Sequence, residues 1–281
     1  MAKKDRMTVY TLYGKTVNNR LISGTVIFLM NAFSIPLMIL WTMAGTLMFP
    51  LGFVFMRVFL RYPGVLITRK CIWIYGRVWQ MILGLFVEFE SPKILGEPFK
   101  QPGIIVVNHR SFFDTYCMNM MPVSDVCFAV RAWPFKIPLY NIFMRMAGYI
   151  NIETFSWERI LSVSKRNLIN QSYILFFPEG HRSLSHGMNR FYSGAFKMAV
   201  EHNAPVIPIC ITGTEELLPP RRLYLKPAKI KMRILDPVYP DQFEGELRHL
   251  SLQRYVKAEM ARCISQMDAK DCIAKDYRLM Q

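Results

Sequence analysis

Cysteine is scarce in this sequence, and its spacing gives no cofactor site. The 281 residues contain six cysteines, with no C-x-x-C pair and no His–Cys spacing typical of zinc ligands. A disulfide-stapled secreted module is therefore excluded, and neither a metal nor a resident cofactor is expected. We expect reduced, mostly buried thiols in a cytoplasmic domain at Cys71, Cys117, Cys127, Cys210, Cys263 and Cys272.

Acidic residues are also few. The 20 Asp and Glu face 35 Lys and Arg, which gives a formal net charge of +15. A hydrophobic fraction of 52% excludes a disordered basic tail. Two partners suit a chain that is both apolar and basic: an anionic membrane surface and a nucleic acid. No recognisable nucleic-acid motif is present, so no nucleic acid is expected.

The longest uncharged run covers residues 21–56, in which 36 residues include no Asp, Glu, Lys or Arg. About 20 apolar residues span a bilayer as a helix, so this run is long for one span and short for two. Residues that favour a break interrupt it at Gly24, Asn31, Pro36, Gly45, Pro50 and Gly52. We predict a membrane-associated helical hairpin; a single tilted span and a buried core helix are the alternatives.

Basic residues on both sides of this run favour the cytoplasmic side for both of its ends. They are Lys3, Lys4, Arg6, Lys15 and Arg20 before it, and Arg57, Arg61, Arg69, Lys70 and Arg77 after it. Residues 71–87 form a second apolar stretch, which fits an interfacial helix and a core helix equally. We predict N-terminal membrane-associated helices over residues 1–90 and a catalytic domain over 91–281, on the cytoplasmic face of an inner membrane or endomembrane.

Beyond residue 90, short apolar runs alternate with helical stretches, which predicts an α/β fold with a mainly parallel sheet flanked by helices. Strands are predicted over residues 104–107, 172–177, 206–211 and 229–235, with Pro208 marking an edge or a bulge. Helices are predicted over residues 157–169, after the N-cap Ser156, and 194–201. A stripe at helical spacing near the C-terminus indicates core packing: Leu252, Val256, Met260, Cys263, Ile264 and Met267.

Two polar segments follow predicted strands, where α/β folds place reactive groups. The first contains His109 and, five residues later, Asp114. In a regular helix these side chains would not share a face, but a turn brings them together. An aspartate on one ring nitrogen fixes the imidazole tautomer and supports proton abstraction, which makes His109 a candidate general base.

The second segment runs from Phe177 to Ser183 and reads Phe-Pro-Glu-Gly-His-Arg-Ser. Gly180 permits a tight turn, and Arg182 offers a bidentate fork for phosphate or carboxylate. On these residues alone, a loop held by a salt bridge between Glu179 and Arg182 is the simpler alternative.

Together, and about 70 residues apart, the two segments resemble the motifs of the glycerolipid acyltransferase family, which includes the lysophosphatidic acid acyltransferases. Asn108, His109 and Asp114 match the family's N-H-x-x-x-x-D block, and residues 177–183 match its F-P-E-G-T-R-S block. The resemblance implies a membrane-bound enzyme that moves a fatty acyl chain from acyl-CoA or acyl carrier protein, as co-substrate, to a lysophospholipid hydroxyl.

In this resemblance His109 is the general base and Asp114 orients it. The residues expected to bind substrate are Asn108, Arg110, Ser111, Glu179, Gly180, Arg182 and Ser183. The backbone N–H groups near Arg110 and Ser111 are expected to stabilise the oxyanion. No G-x-S-x-G elbow is present, so we expect direct transfer with no acyl-enzyme.

Two departures from the family pattern bear on the acceptor. Thr154 and Tyr192 replace an arginine and a lysine that the resemblance assigns to the acceptor's phosphate. One alternative therefore keeps the reaction and changes the acceptor to lyso-ornithine, another lyso-aminolipid or a different lysophospholipid. The other alternative is a non-catalytic protein that binds membrane or nucleic acid through a basic face.

Overall fold

The computed structural model describes residues 20–183 and 187–279. Its eight α-helices are α1 (Arg20–Val58), α2 (Gly64–Leu83), α3 (Asp114–Cys117), α4 (Pro138–Met146), α5 (Trp157–Ile169), α6 (Gly194–His202), α7 (Thr214–Leu217) and α8 (Arg248–Leu279). The eight strands are β1 (Glu88–Phe89), β2 (Lys93–Ile94), β3 (Ile104–Val107), β4 (Val126–Val130), β5 (Ile150–Asn151), β6 (Tyr173–Phe176), β7 (Val206–Thr212) and β8 (Lys229–Ile234).

The strands form one mixed sheet in the order β1-β8-β7-β3-β6-β4-β5, and β2 also pairs with β8. All pairs are parallel except β7 with β8. The prediction of an α/β fold around a mainly parallel sheet is confirmed. Helix α5 matches its predicted bounds, and its N-cap Ser156 accepts a hydrogen bond from the Arg159 N–H at 3.3 Å.

Pro208 lies in an inner strand, so the bulge rather than the edge is the correct reading of this proline. The bulge is visible in the register of two pairs, Val206 with Val238 and Ile209 with Ile234. These pairs are three residues apart along β7 but four residues apart on the segment that begins in β8, so the register shifts by one residue. The Pro208 carbonyl accepts a hydrogen bond from the Leu235 N–H at 2.9 Å at this point. The proline thus falls where the ladder is already interrupted.

The two faces of the sheet carry separate hydrophobic clusters. Along β3, Ile105 and Val107 belong to one cluster, and Ile104 and Val106 belong to the other. Helices α1 and α2 pack on the first face, and α5, α6 and α8 pack on the second. The predicted C-terminal stripe lies in the second cluster with every member at most 6% exposed, which confirms its core role.

Helix α1 continues through both of its prolines, so the break expected inside residues 21–56 is wrong. The chain turns only after Val58, and α2 then packs antiparallel against α1: the Trp41 indole donates to the Tyr75 carbonyl, and Phe53 lies against Gly64. This packing outweighs the local cost of about 3 kcal/mol for a proline in a helix. The hairpin predicted within residues 21–56 is therefore wrong, and the antiparallel pair in the structure is formed by α1 and α2.

Helix α1 contains one stretch, Gly24–Val58, that is long and apolar enough to cross a membrane. Large apolar side chains on its outer face are exposed, including Phe28 at 70% and Leu47 at 76%. The predicted basic flank at residues 3, 4, 6 and 15 lies outside the described residues. The division at residue 90 stays a prediction.

Helix α2 is fixed to the sheet domain by Arg69, which is 3% exposed. Its guanidinium donates to Asp125 Oδ1 at 2.6 Å, to Asn167 Oδ1 at 2.8 Å and to the Ala147 carbonyl at 2.9 Å. Of the six cysteines, five are free thiols and all of these except Cys71 are buried; the Cys272 side chain lies outside the described part.

Candidate active site

The two polar segments predicted from the sequence leave neighbouring strands. Strand β3 lies between β7 and β6, and it runs parallel to β6. Because parallel strands end at the same edge of a sheet, His109 after β3 and Glu179 after β6 come together there. The His109 N–H donates to Glu179 Oε1 at 2.8 Å, and the Ser183 N–H donates to the His109 carbonyl at 2.8 Å.

His109 and Asp114 form the predicted pair. The imidazole Nδ1 lies 2.9 Å from Asp114 Oδ2, and the intervening turn before α3 closes the five-residue gap. The side chain of Asp114 is completely buried, whereas that of His109 is 18% exposed. The ring of Phe177 lies 4.4 Å from the His109 ring and supports it from the β6 side. The imidazole is therefore oriented by a buried carboxylate and remains accessible.

The Asp114 carboxylate also organises the turn. Oδ2 accepts the N–H groups of Arg110 at 2.6 Å and Ser111 at 2.7 Å, and Oδ1 accepts the hydroxyl of Thr214 in α7. This corrects the expectation that the two N–H groups stabilise an oxyanion, because both already bind Asp114. A carboxylate with this many donors is held in one orientation.

Arg110 faces away from the site, which corrects its predicted contact with substrate. Its side chain is 2% exposed and pairs with Glu215 Oε1 at 2.5 Å and Asp268 Oδ2 at 3.5 Å. Burial raises the pKa of the Glu215 carboxyl, although the Arg110 guanidinium acts in the opposite direction. The residue ties the turn after β3 to α7 and α8.

Asn108 and Ser111 belong to the framework of the site, not to its surface. The Asn108 amide exchanges two hydrogen bonds with the backbone of Ile211, at 2.8 and 2.9 Å, and so prolongs the pairing of β3 with β7. The Ser111 hydroxyl donates to the Leu218 carbonyl at 2.7 Å. Both residues are completely buried, so they position His109 and do not touch a ligand directly.

Glu179 holds the two loops together. The residue is 2% exposed; Oε1 accepts from His109 N–H, and Oε2 accepts from Asn189 N–H at 2.7 Å. Burial raises the pKa of this carboxyl, while the two backbone donors lower it. This corrects the prediction that Glu179 positions a head group. Both of its carboxylate oxygens bind backbone N–H groups, so Glu179 positions the loops instead.

Gly180, Ser183 and Arg182 shape the loop after β6. Gly180 has φ +68°, and a Cβ there would lie 2.8 Å from the ring of Tyr192, so only glycine fits comfortably. Ser183 is buried, and its hydroxyl donates to the Gly187 carbonyl at 2.8 Å. Arg182 lies exposed beside them. The substrate-binding role of these three residues stays a prediction.

Arg131 is a second cation at this edge, and the sequence reasoning missed it. It directly follows β4, which is parallel to β6, and its Nη1 lies 3.0 Å from His181 Nε2. Its Nε donates to Glu153 Oε1 at 2.5 Å, and 40% of its side chain is exposed. Its position in the sequence could have indicated this role, because Arg131 directly follows a buried strand, as His109 does.

A cavity of about 410 Å³ opens between α1, α2 and the β4–α4 side of the sheet. Apolar side chains dominate its wall, among them Phe49, Phe128 and Phe143. The wall reaches Thr115, the residue next to Asp114. The cavity wall therefore includes the chain neighbour of Asp114, whereas His109 and Asp114 themselves do not line it. Within residues 20–183 and 187–279, no three His, Cys, Asp or Glu side chains come together as a metal site.

Comparison with known proteins identifies the fold and its relatives. The family model for the acyltransferase domain matches residues 87–212. A 1-acyl-sn-glycerol-3-phosphate acyltransferase of Chlamydomonas reinhardtii is 29% identical over 53% of this chain and 46% of its own length. The mouse 1-acyl-sn-glycerol-3-phosphate acyltransferase alpha is 30% identical over 50% of this chain and 51% of its own. The chain spans about half the length of these curated relatives.

A solved structure extends the similarity beyond the domain. The crystal structure of the 1-acyl-sn-glycerophosphate acyltransferase PlsC from Thermotoga maritima superposes with a TM-score of 0.66 at 26% identity. The match covers 85% of this chain and 98% of that one. The domain match, these relatives and the shared architecture agree with the motif resemblance. Residues 87–212 therefore form an acyltransferase domain of the kind found in the glycerolipid acyltransferase family.

Proposed function

We propose that this protein transfers a fatty acyl chain from an acyl thioester to the free hydroxyl of a lysophospholipid. The observation that carries the proposal is the 2.9 Å contact between His109 Nδ1 and the buried carboxylate of Asp114. With Nδ1 bound to Asp114, the other ring nitrogen, Nε2, is the one available to take a proton from a substrate. The names of the relatives favour 1-acyl-sn-glycerol-3-phosphate as acceptor.

The reaction proceeds by direct attack. His109 Nε2 takes the proton of the acceptor hydroxyl while its oxygen adds to the thioester carbonyl. The C–S bond then breaks, the ester forms, and the departing thiolate takes the proton back from the imidazolium. Asp114 stabilises the imidazolium between these steps and is itself held by Thr214 and two backbone N–H groups. Acyl-CoA and acyl carrier protein both supply such a thioester.

Two features of the site suit the two ends of the substrates. Arg131, whose side chain is 40% exposed, and the exposed Arg182 are cations at the edge of the sheet that carries His109, and they suit an anionic head group. The apolar cavity beside Thr115 suits an acyl chain. Thr154 and Tyr192 replace two cations that the family resemblance assigns to the acceptor's phosphate. An acceptor other than 1-acylglycerol-3-phosphate is therefore the alternative.

Helix α1 supports membrane attachment, and the basic residues on both sides of residues 21–56 favour the cytoplasmic face. Its 39 residues make it about 58 Å long, nearly twice the roughly 30 Å of a bilayer core. A helix of this length with an exposed apolar face fits an orientation inclined to, or lying in, one leaflet. In about 1 M salt, where surface charges are screened, the protein is expected to stay bound to vesicles.

The decisive experiment supplies one acyl thioester and a panel of lyso-lipids to the wild-type chain and to H109A. We expect ester formation with a lysophospholipid and a loss of about 10²- to 10⁴-fold in the variant. His249→Ala is the matched control. Asp268 is the residue of α8 that pairs with Arg110 beside the site, and His249 lies about 28 Å away from it along the helix.

The outcome separates the alternatives. Activity on a lyso-aminolipid, with none on lysophospholipids, replaces the acceptor and keeps the mechanism. Full turnover by H109A refutes the mechanism. Cross-linking to RNA or DNA, with no ester formed from any lipid, favours the non-catalytic alternative.

A further inference from the structure

The loop after α7, residues 219–226, carries the most exposed large apolar side chain among the described residues. Leu223 is 94% exposed, and the adjacent Tyr224 is 47% exposed. Basic residues surround this tip at Arg221, Arg222 and Lys226, and residues 219–228 include no Asp or Glu. Apolar side chains flanked by basic residues are typical of segments that lie at an anionic membrane interface.

The loop is braced from inside, so the exposure of Leu223 is built into its structure. Arg222 Nε donates to the Tyr224 carbonyl at 2.9 Å, and Nη2 donates to the Glu216 carbonyl at 2.6 Å. The Lys226 N–H donates to the Leu217 carbonyl at 3.1 Å. These bonds close the base of the loop and leave Leu223 at its tip.

The loop is also attached to α1. Leu225 is buried, and its N–H and carbonyl both bind the Asn31 side-chain amide at 2.8 Å. Leu223 and Leu225 are two positions apart, so their Cα atoms lie within about 7 Å of each other. One turn from Asn31, Phe28 is 70% exposed. The loop that presents Leu223 is therefore attached to α1 one turn from an exposed apolar side chain.

The other end of the loop joins the active site. Leu218 accepts the Ser111 hydroxyl, and Thr214 in α7 binds Asp114. The distance along the chain from Thr214 to Leu223 is only nine residues. A surface that fixes the loop would therefore also fix the orientation of the His109 site relative to that surface.

We propose that residues 219–226 form a membrane-docking loop whose partner is the surface of an anionic phospholipid bilayer. Leu223 inserts among the acyl chains, and Arg221 and Lys226 bind lipid phosphates. Two observations favour a bilayer over a protein partner: the basic residues around the tip complement anionic lipid, and the loop is hydrogen-bonded to α1, whose apolar side chains are exposed. Docking of this loop to a bilayer does not depend on acyl transfer.

The test measures depth at the loop itself, because α1 contributes separately to binding. L223W is mixed with phosphatidylglycerol–phosphatidylcholine vesicles whose acyl chains are brominated, and the wild-type emission is subtracted. The added tryptophan emission is expected to shift to the blue and to be quenched. Ile169→Trp is the matched control: Ile169 is 67% exposed, at the end of α5 on the opposite face of the sheet, so its emission stays unquenched.

A second arm tests the basic residues around the tip by vesicle titration. R221Q/K226Q is expected to weaken binding to phosphatidylglycerol vesicles about fivefold for each charge removed, from roughly 1 kcal/mol per cation near the surface. Binding to pure phosphatidylcholine stays unchanged. The charge-matched control K165Q/R166Q alters two exposed cations of α5 and leaves both affinities unchanged.

Three results would overturn the proposal. The first is L223W emission that is unquenched although flotation shows the protein on vesicles. The second is failure of the wild-type chain to bind phosphatidylglycerol vesicles. The third is an equal loss of affinity for phosphatidylglycerol vesicles in R221Q/K226Q and in the control K165Q/R166Q. Circular dichroism of each variant ensures that a loss reflects the surface and not unfolding.

Discussion

Thr214 and Asp114 are 100 residues apart in the sequence, yet the Thr214 hydroxyl donates a hydrogen bond to Asp114 Oδ1 inside the protein. The opposite oxygen, Oδ2, binds the His109 imidazole. The hydroxyl therefore restrains the carboxylate that orients the candidate base. Thr214 is a positioning residue, because it acts on the imidazole only through Asp114.

Removing this hydroxyl is expected to slow turnover without weakening substrate binding. A hydrogen bond to a charged group contributes about 1.5–3 kcal/mol, so T214V should lower kcat by roughly tenfold or more while KM changes little. Thr214→Ser should restore most of the rate. The matched control is T212V: Thr212 is 2% exposed, and its hydroxyl has no hydrogen-bond partner in the described structure. Equal kcat values for T214V and T212V would contradict the assignment.

Glu179 predicts a specific pH dependence of stability. Burial raises the pKa of its carboxyl above the ordinary value of 4.5, so the folded protein holds this proton more tightly than the unfolded chain. The contribution of Glu179 to the free energy of unfolding therefore falls as the pH rises from about 4.5 through the folded-state pKa.

Urea unfolding of the wild-type protein and of E179Q, from about pH 4 to pH 8, measures this contribution. The stability of the wild type relative to the variant should decrease with rising pH and then level off. A relative stability that increases over the same interval would show that the two backbone donors outweigh burial.

Arg69 predicts how firmly the hairpin is attached to the sheet domain. Arg69→Met leaves Asp125 and Asn167 without their guanidinium donor. Breaking a fully buried pair costs about 3–5 kcal/mol; because 29% of the Asp125 side chain is exposed, we expect about 2–3 kcal/mol here. Denaturation in detergent micelles measures the loss, and Lys70→Met, at an exposed neighbouring position, is the control. Equal stability of the two variants would rule out this attachment.

The cavity predicts a dependence on acyl-chain length. Gly45 lines it, and a Cβ at that position would meet only the Tyr75 ring, at 3.9 Å. Gly45→Leu therefore fills part of the cavity, and kcat/KM should fall by about fourfold for each methylene that loses its place, or roughly 0.8 kcal/mol. Short donors should be unaffected. Gly24→Leu, elsewhere on α1 and with nothing near its Cβ position, should leave the profile unchanged; an unchanged profile for Gly45→Leu would exclude the cavity as the acyl site.

Local sequence signals were sufficient where local forces decide the structure. Short apolar runs predicted β3 and β6, and the Ser156 cap predicted the start of α5. The pairing of His109 with Asp114 was predictable because a short turn supplies it.

The remaining features depend on partners far along the chain. Helix α1 passes through Pro36 and Pro50 because α2 packs against it. Arg110 faces inward because Glu215, 105 residues later, binds it. Arg131 reaches the site only because β4 pairs with β6. No local pattern contains this information, since each contact is fixed by the topology of the sheet.

The bond between Asn31 and Leu225 spans 194 residues, which has a consequence for synthesis. At a synthesis rate of about 5–20 residues per second, roughly 10 to 40 seconds pass between the synthesis of Asn31 and that of Leu225. The strands and the loop that cover the inner side of α1 are completed only then. Early in that interval α2 is the only one of the final neighbours of α1 that is already synthesised. Early delivery of the nascent chain to a bilayer would shield α1 until β7, β8 and the Leu225 loop arrive, so assembly of this enzyme is expected to begin at the membrane.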